Sequence, residues 1–190
     1  MILSNVELIS AIKQGTLRIE GIAGTDPTRP PFNTTSVDLR LGPNVSVPKK
    51  QAVALDLRNG SIASFLASNS ERYVATEHQP YQLRPGQFIL AQTTERVAFP
   101  IGSDGNCLSA RVEGKSSLAR CGLLIHFTAP TIHAGFEGPI TLEIINLGPN
   151  AVALAPGMYI CQLIVERVLG IPLDAPNQFK GQTTPEGTKS

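Results

Sequence analysis

Residues 110–146 read ARVEGKSSLARCGLLIHFTAPTIHAGFEGPITLEIIN and contain most of the polar groups that could do chemistry. Within them, residues 114–120 form a polar, turn-like segment, and two apolar segments follow it. The second apolar segment carries one carboxylate, Glu143, between Leu142 and Ile144. Because short apolar segments of this kind are typical of strands, we expect a β-rich fold in which the rest of the chain holds these polar groups in place.

Composition and charge limit the class of protein. The chain has 190 residues, of which 42% are apolar, with 17 glycines and 15 prolines. This length suits one domain with its own core, and the many turn residues favour a mainly β architecture. Because the net charge is only +1, no broad basic surface for nucleic acid is expected. We expect a single domain over residues 1–176 and a flexible tail over residues 177–190 that could order over a ligand.

The cysteines and the apolar runs predict the cellular setting. Cys107, Cys121 and Cys161 are an odd number, lie far apart within apolar runs and form no CxxC pair. This usage indicates reduced, buried thiols in a cytoplasmic protein. No apolar run approaches the ~18 residues that a membrane span requires, and no secretory signal is present, so no membrane partner is expected.

The N-terminus carries the signature of an amphipathic helix. Ser4 and Glu7 have the spacing of a helix cap, and Gly15 is placed to end the helix. The apolar residues at helical intervals are Val6, Leu8, Ile9 and Ile12. We expect this helix to pack on a sheet.

Short strands separated by Gly or Pro turns predict an antiparallel sandwich or barrel. In residues 36–42, alternation places Asp38 and Arg40 on one face, where an ion pair between them is expected. Residues 17–32 predict a loop, and residues 63–68 predict a short helical turn. The other predicted strands are residues 88–98, 107–112, 123–128, 140–146, 151–154 and 159–168.

The polar segment at residues 114–120 has the ingredients of an anion site. It is not a P-loop, because that motif needs a glycine where this chain has Ser109. Gly114 permits close backbone approach, and Ser116 or Ser117 could cap a helical turn. Lys115 and Arg120 add positive charge suited to phosphate. Phosphate binding and a merely structural capped turn both remain open on these residues alone.

Glu143 and two histidines are the candidate acid–base groups. Alternation places Glu143 on the strand face opposite Leu142, where partial burial would favour a protonated carboxyl unless a basic partner compensates. A solvent-facing or ion-paired glutamate is the alternative. His126, expected on a strand, reads as a structural histidine or a base, whereas His133 lies beside Gly135 in a turn that could face a ligand.

Several linked motifs resemble those of the dCTP deaminases in the dUTPase superfamily. The main matches are GKSSLAR at residues 114–120, HFTA at 126–129, GFEG at 135–138 and LE at 142–143. Supporting matches are residues 36–42, 83–86, 156–158 and 179–182. The resemblance implies a β-clip or distorted jelly-roll barrel with an N-terminal helix. It also implies a homotrimer with active sites between subunits, and Mg²⁺ bound with the nucleotide triphosphate.

The same resemblance implies a zinc-free deamination of dCTP to dUTP and ammonia. Glu143 matches the glutamate that takes a proton from water, directs hydroxide at C4 of cytosine and protonates the departing ammonia. Ser116 and Arg120 match residues that hold the water, the glutamate and the phosphates. The implied nucleotide-binding residues are Lys115, Ser116, Ser117, Arg120, Ala129, His133, Phe136, Lys180 and Gln182. The chain lacks the H-x-E and P-C-x-x-C motifs of zinc deaminases, and no protein ligand to a metal is implied.

Departures from the family pattern keep other activities open. His133 stands where an aspartate is usual, and relatives that hydrolyse dUTP use that aspartate to activate water. Lys115 replaces an arginine, and Gln178 and Phe179 replace a Lys-Tyr pair that Lys180 could substitute in part. The alternatives are therefore a pyrophosphatase acting on dUTP or a related triphosphate, and a non-catalytic nucleotide-binding relative. dTTP is a candidate inhibitor.

Overall fold

The computed structural model describes residues 1–52, 54–56, 58, 61–102, 105–173, 175 and 179–188. These residues form a mainly β fold with an N-terminal helix, as predicted. The helices are α1 (Asn5–Gln14), α2 (Ile62–Ser68) and α3 (Ser116–Ala119). The strands are β1 (Arg18–Glu20), β2 (Phe32–Asn33), β3 (Ser36–Pro48), β4 (Ser70–Val74), β5 (Tyr81–Leu83), β6 (Phe88–Ala98), β7 (Leu108–Gly114), β8 (Leu123–Ile125), β9 (Thr131–Ile132), β10 (Glu137–Asn146), β11 (Val152–Leu154) and β12 (Tyr159–Arg167).

One antiparallel sheet contains most of the strands and curls into a half-barrel. Its main path runs β8-β10-β6-β3-β12-β7-β9, with β1, β2 and β4 attached at the side and a separate β5–β11 pair. The 13-residue strand β3 joins the two halves of this sheet, because residues 37–40 pair with β12 and later residues pair with β6 and β4. The apolar core lies inside the curl, and Leu39, Leu142 and Leu163 are fully buried there.

Helix α1 begins and ends where its sequence predicts. The Ser4 side chain accepts a hydrogen bond from the Glu7 backbone N–H, and Gly15 closes the helix with a φ of 75°. Leu8, Ile9 and Ala11 are buried against the sheet. Val6 is 62% exposed, so its predicted place on the apolar face is wrong. With ~3.6 residues per turn, Val6 lies about 200° around the helix from the buried Leu8, so it faces away from the core.

Three local predictions differ from the structure. Strands β1 and β2 lie within or at the end of the predicted loop at residues 17–32, because pairing with β6 and β3 orders them. Strand β3 continues to Pro48, since an irregularity in the β3–β6 pairing accommodates the apparent break at Gly42. The strand predicted for residues 123–128 ends at Ile125, because the backbone of the next residue, His126, turns to a φ of 53°.

The predicted ion pair between Asp38 and Arg40 is wrong. The Lys115 ammonium donates to Asp38, whereas Arg40 donates from its backbone N (2.8 Å) and Nε (2.6 Å) to Glu95. Glu95 is only 1% exposed, and its hydrogen bond raises the pKa of Arg40. Lys115 at the start of α3 and Glu95 on β6 thus take the places that Arg40 and Asp38 were expected to fill for each other.

Replacing Arg40 by methionine should strongly destabilise the fold. The change would leave the buried Glu95 carboxylate without its cation, which costs about 3–5 kcal/mol in the free energy of unfolding. Arg96→Met is the control, because Arg96 lies 3.6 Å from the exposed Glu20 and its loss should cost under ~1 kcal/mol. Urea denaturation measures both variants. Equal losses would contradict a structural role for the Arg40–Glu95 pair.

The sequence predicts that all three thiols are buried, and this prediction is wrong for one of them. Cys107 and Cys161 are buried, and burial raises the pKa of the Cys161 thiol. Cys121 is exposed, because it lies in the turn after α3, where its Sγ donates to the Ser117 carbonyl at 3.7 Å. None of the described helices is long and apolar enough to cross a membrane. The cytoplasmic setting stays a prediction.

Candidate active site

A cavity of about 520 Å³ opens on the face of the sheet opposite the core and has the size of a small-molecule site. Its walls are strands β6 and β10, the loop from β8 to β10, helix α2 and residues 179–187 of the tail. The predicted site residues along it are Ala129, His133, Phe136, Glu143 and Gln182. Most of the wall is apolar, so the few polar atoms would determine how a ligand is oriented.

Glu143 lies on the strand face opposite Leu142, as alternation predicts, and this face forms one wall of the cavity. Ile140, Leu142 and Ile144 point into the core and are at most 1% exposed. Thr141 and Glu143 point to the other face and line the cavity, where the Glu143 side chain keeps 26% of its exposure. The carboxyl is therefore partly withdrawn from water but still open to a ligand.

His126 lies with its ring against the Glu143 carboxyl group. Its backbone N–H donates to the Glu143 carbonyl at 2.7 Å, and its ring Nδ1 lies 3.0 Å from Glu143 Oε2. The ring is 6% exposed. The distance is that of an ion pair, although the angles are not those of a hydrogen bond, and neither ring nitrogen has a hydrogen-bond partner among the described residues.

This arrangement places the His126 ring against one oxygen of the Glu143 carboxyl group, and the Glu143 side chain also lines the cavity. Sequence reasoning took His126 to be on a strand and missed the contact. His126 has a positive φ, which ends the strand and turns the ring towards Glu143, and no residue pattern in the sequence predicts this backbone conformation.

The loop after β8 forms one wall of the cavity. Phe136 is 6% exposed. Two backbone hydrogen bonds connect this part of the loop to Phe99: Phe99 N donates to the Phe136 carbonyl (3.0 Å), and Gly135 N donates to the Phe99 carbonyl (2.7 Å). His133 and Ala129 are exposed at the cavity wall. The wall thus combines a fixed aromatic ring with an accessible imidazole.

The tail closes the cavity from outside. Gln182 is 4% exposed, and its Nε2 donates to the Pro139 carbonyl at 3.0 Å. The Gly181 N–H donates to the Glu137 carbonyl at 2.8 Å. Lys180 borders a separate cavity of about 390 Å³ with Arg18 and is not brought to Glu143. Of the predicted tail, residues 177, 178, 189 and 190 lie outside the described residues, including Gln178.

The predicted phosphate-binding residues lie elsewhere on this chain. Lys115, Ser116, Ser117 and Arg120 do not line the cavity that contains Glu143. Lys115 pairs with Asp38, and its Nζ lies 5.8 Å from the centre of the Tyr159 ring. Arg120 is exposed at another cavity, of about 760 Å³, beside residues 148–153.

The predicted serine cap of α3 is wrong. Lys115 occupies the N-cap position and makes no side-chain cap hydrogen bond, so Ser116 and Ser117 are the first residues of the helix. Both serines are exposed. Their hydroxyls are therefore open to groups outside this chain.

A family model described as dCTP deaminase-like matches residues 2–168. The chain is 35% identical over 199 residues to the dUMP-forming dCTP deaminase of Methanosphaera stadtmanae, covering 99% of this chain and 93% of that protein. It is 36% identical over 195 residues to the dCTP deaminase of Haloarcula marismortui, covering 100% of this chain and 94% of that protein.

A solved structure shares the fold. The 2′-deoxycytidine 5′-triphosphate deaminase from Agrobacterium tumefaciens matches with a TM-score of 0.63 at 20% identity, over 86% of this chain and 47% of that chain. The family suggested by the sequence motifs is thus confirmed by matches along nearly the whole chain. The protein is a member of the dCTP deaminase-like family.

Proposed function

We propose that this protein is a dCTP deaminase that releases ammonia with a water activated by Glu143. The observation that carries the proposal is the partly buried Glu143 carboxylate beside His126, in a mostly apolar cavity large enough for a small-molecule ligand. A carboxylate in this setting can exchange a proton with a bound water. The family membership supplies the substrate class.

In the proposed reaction, one group, Glu143, carries the proton from the attacking water to the leaving nitrogen. Glu143 removes a proton from water, and the hydroxide attacks C4 of cytosine to form a C–O bond. Glu143 then delivers that proton to the exocyclic nitrogen, the C4–N bond breaks and ammonia leaves, and the proton on the C4 oxygen moves to N3, which gives the keto form of uracil. His126, whose Nδ1 lies 3.0 Å from Oε2, keeps the carboxylate oriented through both transfers. The products are dUTP and ammonia.

Other cavity residues would bind the nucleotide without taking part in proton transfer. The buried ring of Phe136 offers an apolar surface for deoxyribose, and the main chain at Ala129 would orient the water. Gln182, held by the Pro139 carbonyl, would cover the nucleotide and keep bulk water out. His133 lies at the same wall, where it could contact the ligand.

We further propose that a homotrimer completes the site. The exposed hydroxyls of Ser116 and Ser117 and the exposed Arg120 guanidinium lie away from Glu143 in one chain. A neighbouring copy could present its own α3 segment, with Lys115, to the phosphates bound beside Glu143. Closed rings of identical subunits commonly share sites in this way.

Mixing two inactive variants should recover activity if the site is shared. Glu143→Gln and Arg120→Ala subunits, unfolded and reassembled together, should regain about a quarter of the wild-type ammonia release, because random assembly pairs an intact Glu143 with an intact Arg120 at that frequency. Ammonia is measured with dCTP and Mg²⁺. Each variant refolded alone is the control, and a mixture no more active than the two separate variants would contradict sharing.

We expect Mg²⁺ to be carried by the triphosphate of the substrate. No group of three or more His, Cys, Asp or Glu side chains that could hold a metal is found among the described residues. Mg²⁺ usually takes phosphate oxygens and waters with only one or two carboxylates. Mg²⁺ held by the triphosphate would neutralise charge on the phosphates.

The identity of the product separates this proposal from two others. Some relatives are named as dUMP-forming, which implies hydrolysis of the phosphate chain in those proteins. His133 stands where the resemblance expects the aspartate for that step, so we expect dUTP as the product here.

Incubation with dCTP and Mg²⁺ should release ammonia with dUTP and no pyrophosphate. Pyrophosphate from dUTP would favour a pyrophosphatase, and nucleotide binding without any turnover would favour a regulatory relative. Inhibition by dTTP stays a prediction.

A further inference from the structure

A single carboxylate in the tail is buried on the sheet. The Glu186 side chain has no exposed surface, although the chain end is only a few residues away. Its Oε1 accepts hydrogen bonds from Ser46 Oγ at 2.7 Å and from Arg72 Nε at 3.0 Å, and Arg72 Nη2 donates to Oε2 at 3.3 Å. Buried carboxylates are rare unless they are paired in this way.

The anchor for this carboxylate lies in the same cross-strand row as Glu143. Glu143 is paired with Leu90 on β6, Leu90 with Ser46 on β3, and Ser46 with Arg72 on β4. Since neighbouring strands lie ~4.8 Å apart, the Cα atoms of Ser46 and Arg72 are about 10 and 14 Å from that of Glu143. Directly paired residues point to one face, so Ser46 and Arg72 lie on the same face of the sheet as Leu90 and Glu143, which line the cavity.

The tail segment that carries Gln182 and Glu186 is a compact loop. Gly187 N–H donates to the Thr184 carbonyl at 3.0 Å, and Thr183 N–H donates to the Thr188 carbonyl at 2.9 Å. A Cβ on Gly187 would lie 2.7 Å from the Phe179 ring, which shows how closely the loop packs on itself. Anchoring Glu186 therefore places the whole loop, including Gln182.

We propose that Glu186 is a positioning residue for the deaminase site: Ser46 and Arg72 hold it, and it in turn holds Gln182 across the cavity above Glu143. The expected effect on nucleotide binding rests on the proposed function, whereas the contacts that anchor Glu186 do not depend on it. The expected consequence is slower escape of bound dCTP and exclusion of water from the cavity.

The charged groups around Glu186 predict the direction of a pH effect. Burial alone would raise the pKa of Glu186, but hydrogen bonds from Ser46, its own backbone N–H, Arg72 and Thr184 outweigh burial and lower it. The anchor therefore stabilises the closed tail above the ordinary carboxyl pKa and loses this effect as pH falls through the lowered value. The other titratable groups lining the cavity are His126, His133 and Glu143.

Hydrogen exchange of the tail amides tests the anchor without nucleotide. In Glu186→Gln, the Gly181 and Thr183 amides should exchange about 10- to 100-fold faster at neutral pH, as expected for losing hydrogen bonds to a buried charge. Glu71→Gln is the matched control. Glu71 lies on the same strand as Arg72, but its side chain is exposed and its ion pair with Lys49 is long, at 4.0 Å. Unchanged exchange in Glu186→Gln would overturn the anchor.

Two further measurements separate positioning from general stability. In an Arg72→Met background, adding Glu186→Gln should have little further effect on exchange, because the two side chains act as one unit. With dCTP, Glu186→Gln should raise KM by about 10-fold or more while changing kcat less, and Glu186→Asp should restore part of KM. An unchanged KM with faster exchange would leave an anchor that does not position the site, contradicting the proposal. Absence of ammonia from the wild-type protein would instead contradict the proposed function.

Discussion

Glu143→Gln is expected to reduce ammonia release from dCTP by about 10²- to 10⁴-fold, the usual contribution of a positioned proton carrier. The amide has nearly the same shape as the carboxylate, so the contact with His126 Nδ1, now 3.0 Å, and the packing of β10 should persist. An amide cannot accept a proton from water at neutral pH. The loss should therefore appear in kcat, with nucleotide binding largely kept.

Glu137→Gln is the control for this variant. Glu137 is exposed at the first position of the same strand, so its replacement removes a carboxylate from β10 without changing the cavity that contains Glu143. Steady-state ammonia release and dCTP binding by calorimetry should be measured for both variants. Ammonia release near the wild-type rate in Glu143→Gln would exclude this glutamate as the proton carrier.

Gly122→Ala is expected to lower the free energy of unfolding by about 2–5 kcal/mol, through strain and overpacking together. Gly122 has a φ of 84°, and a Cβ there would lie 2.3 Å from the Gly148 backbone N and 2.5 Å from its Cα. Leu147 N–H also donates to the Gly122 carbonyl at 2.8 Å. Since both partners are backbone, the two turns would have to move apart.

Gly157→Ala separates the two causes. Gly157 has the same φ of 84°, but a Cβ there would meet nothing within 4 Å. Its replacement should cost only the ~1–2 kcal/mol of a left-handed backbone conformation. Chemical denaturation of both variants gives the difference due to the close approach at Gly148. Equal losses would show that backbone strain alone explains Gly122. Under the proposed function, Gly122→Ala should also reduce activity, because Arg120 lies two residues before it.

Several features could be predicted because they depend on neighbours in the chain. The bounds of β6 at Phe88–Ala98 follow from turn residues on both sides, and the ends of α1 follow from Ser4 and Gly15. The face of Glu143 follows from the two-residue period of a strand, which no distant contact can alter without reversing the buried face. The motifs around these residues also predicted the family.

Contacts between distant residues required the folded chain. Alternation placed Asp38 and Arg40 on one strand face, but their partners lie more than 50 residues away: Lys115 at the start of α3 and Glu95 on β6. Likewise, the apparent break at Gly42 concealed that β3 continues and joins the two halves of the sheet. Cross-strand pairing decides such partners, and a local pattern carries no record of it.

The sequence by itself determined the fold class, the family and the strand face on which Glu143 lies, because spacing along the chain encodes each of them. Only the tertiary structure decided that His126 turns onto Glu143, that α3 lies away from it and that Glu186 is anchored by Ser46 and Arg72. The anchor joins residues up to 140 positions apart. Such meetings depend on strand order and register, which only the assembled sheet defines.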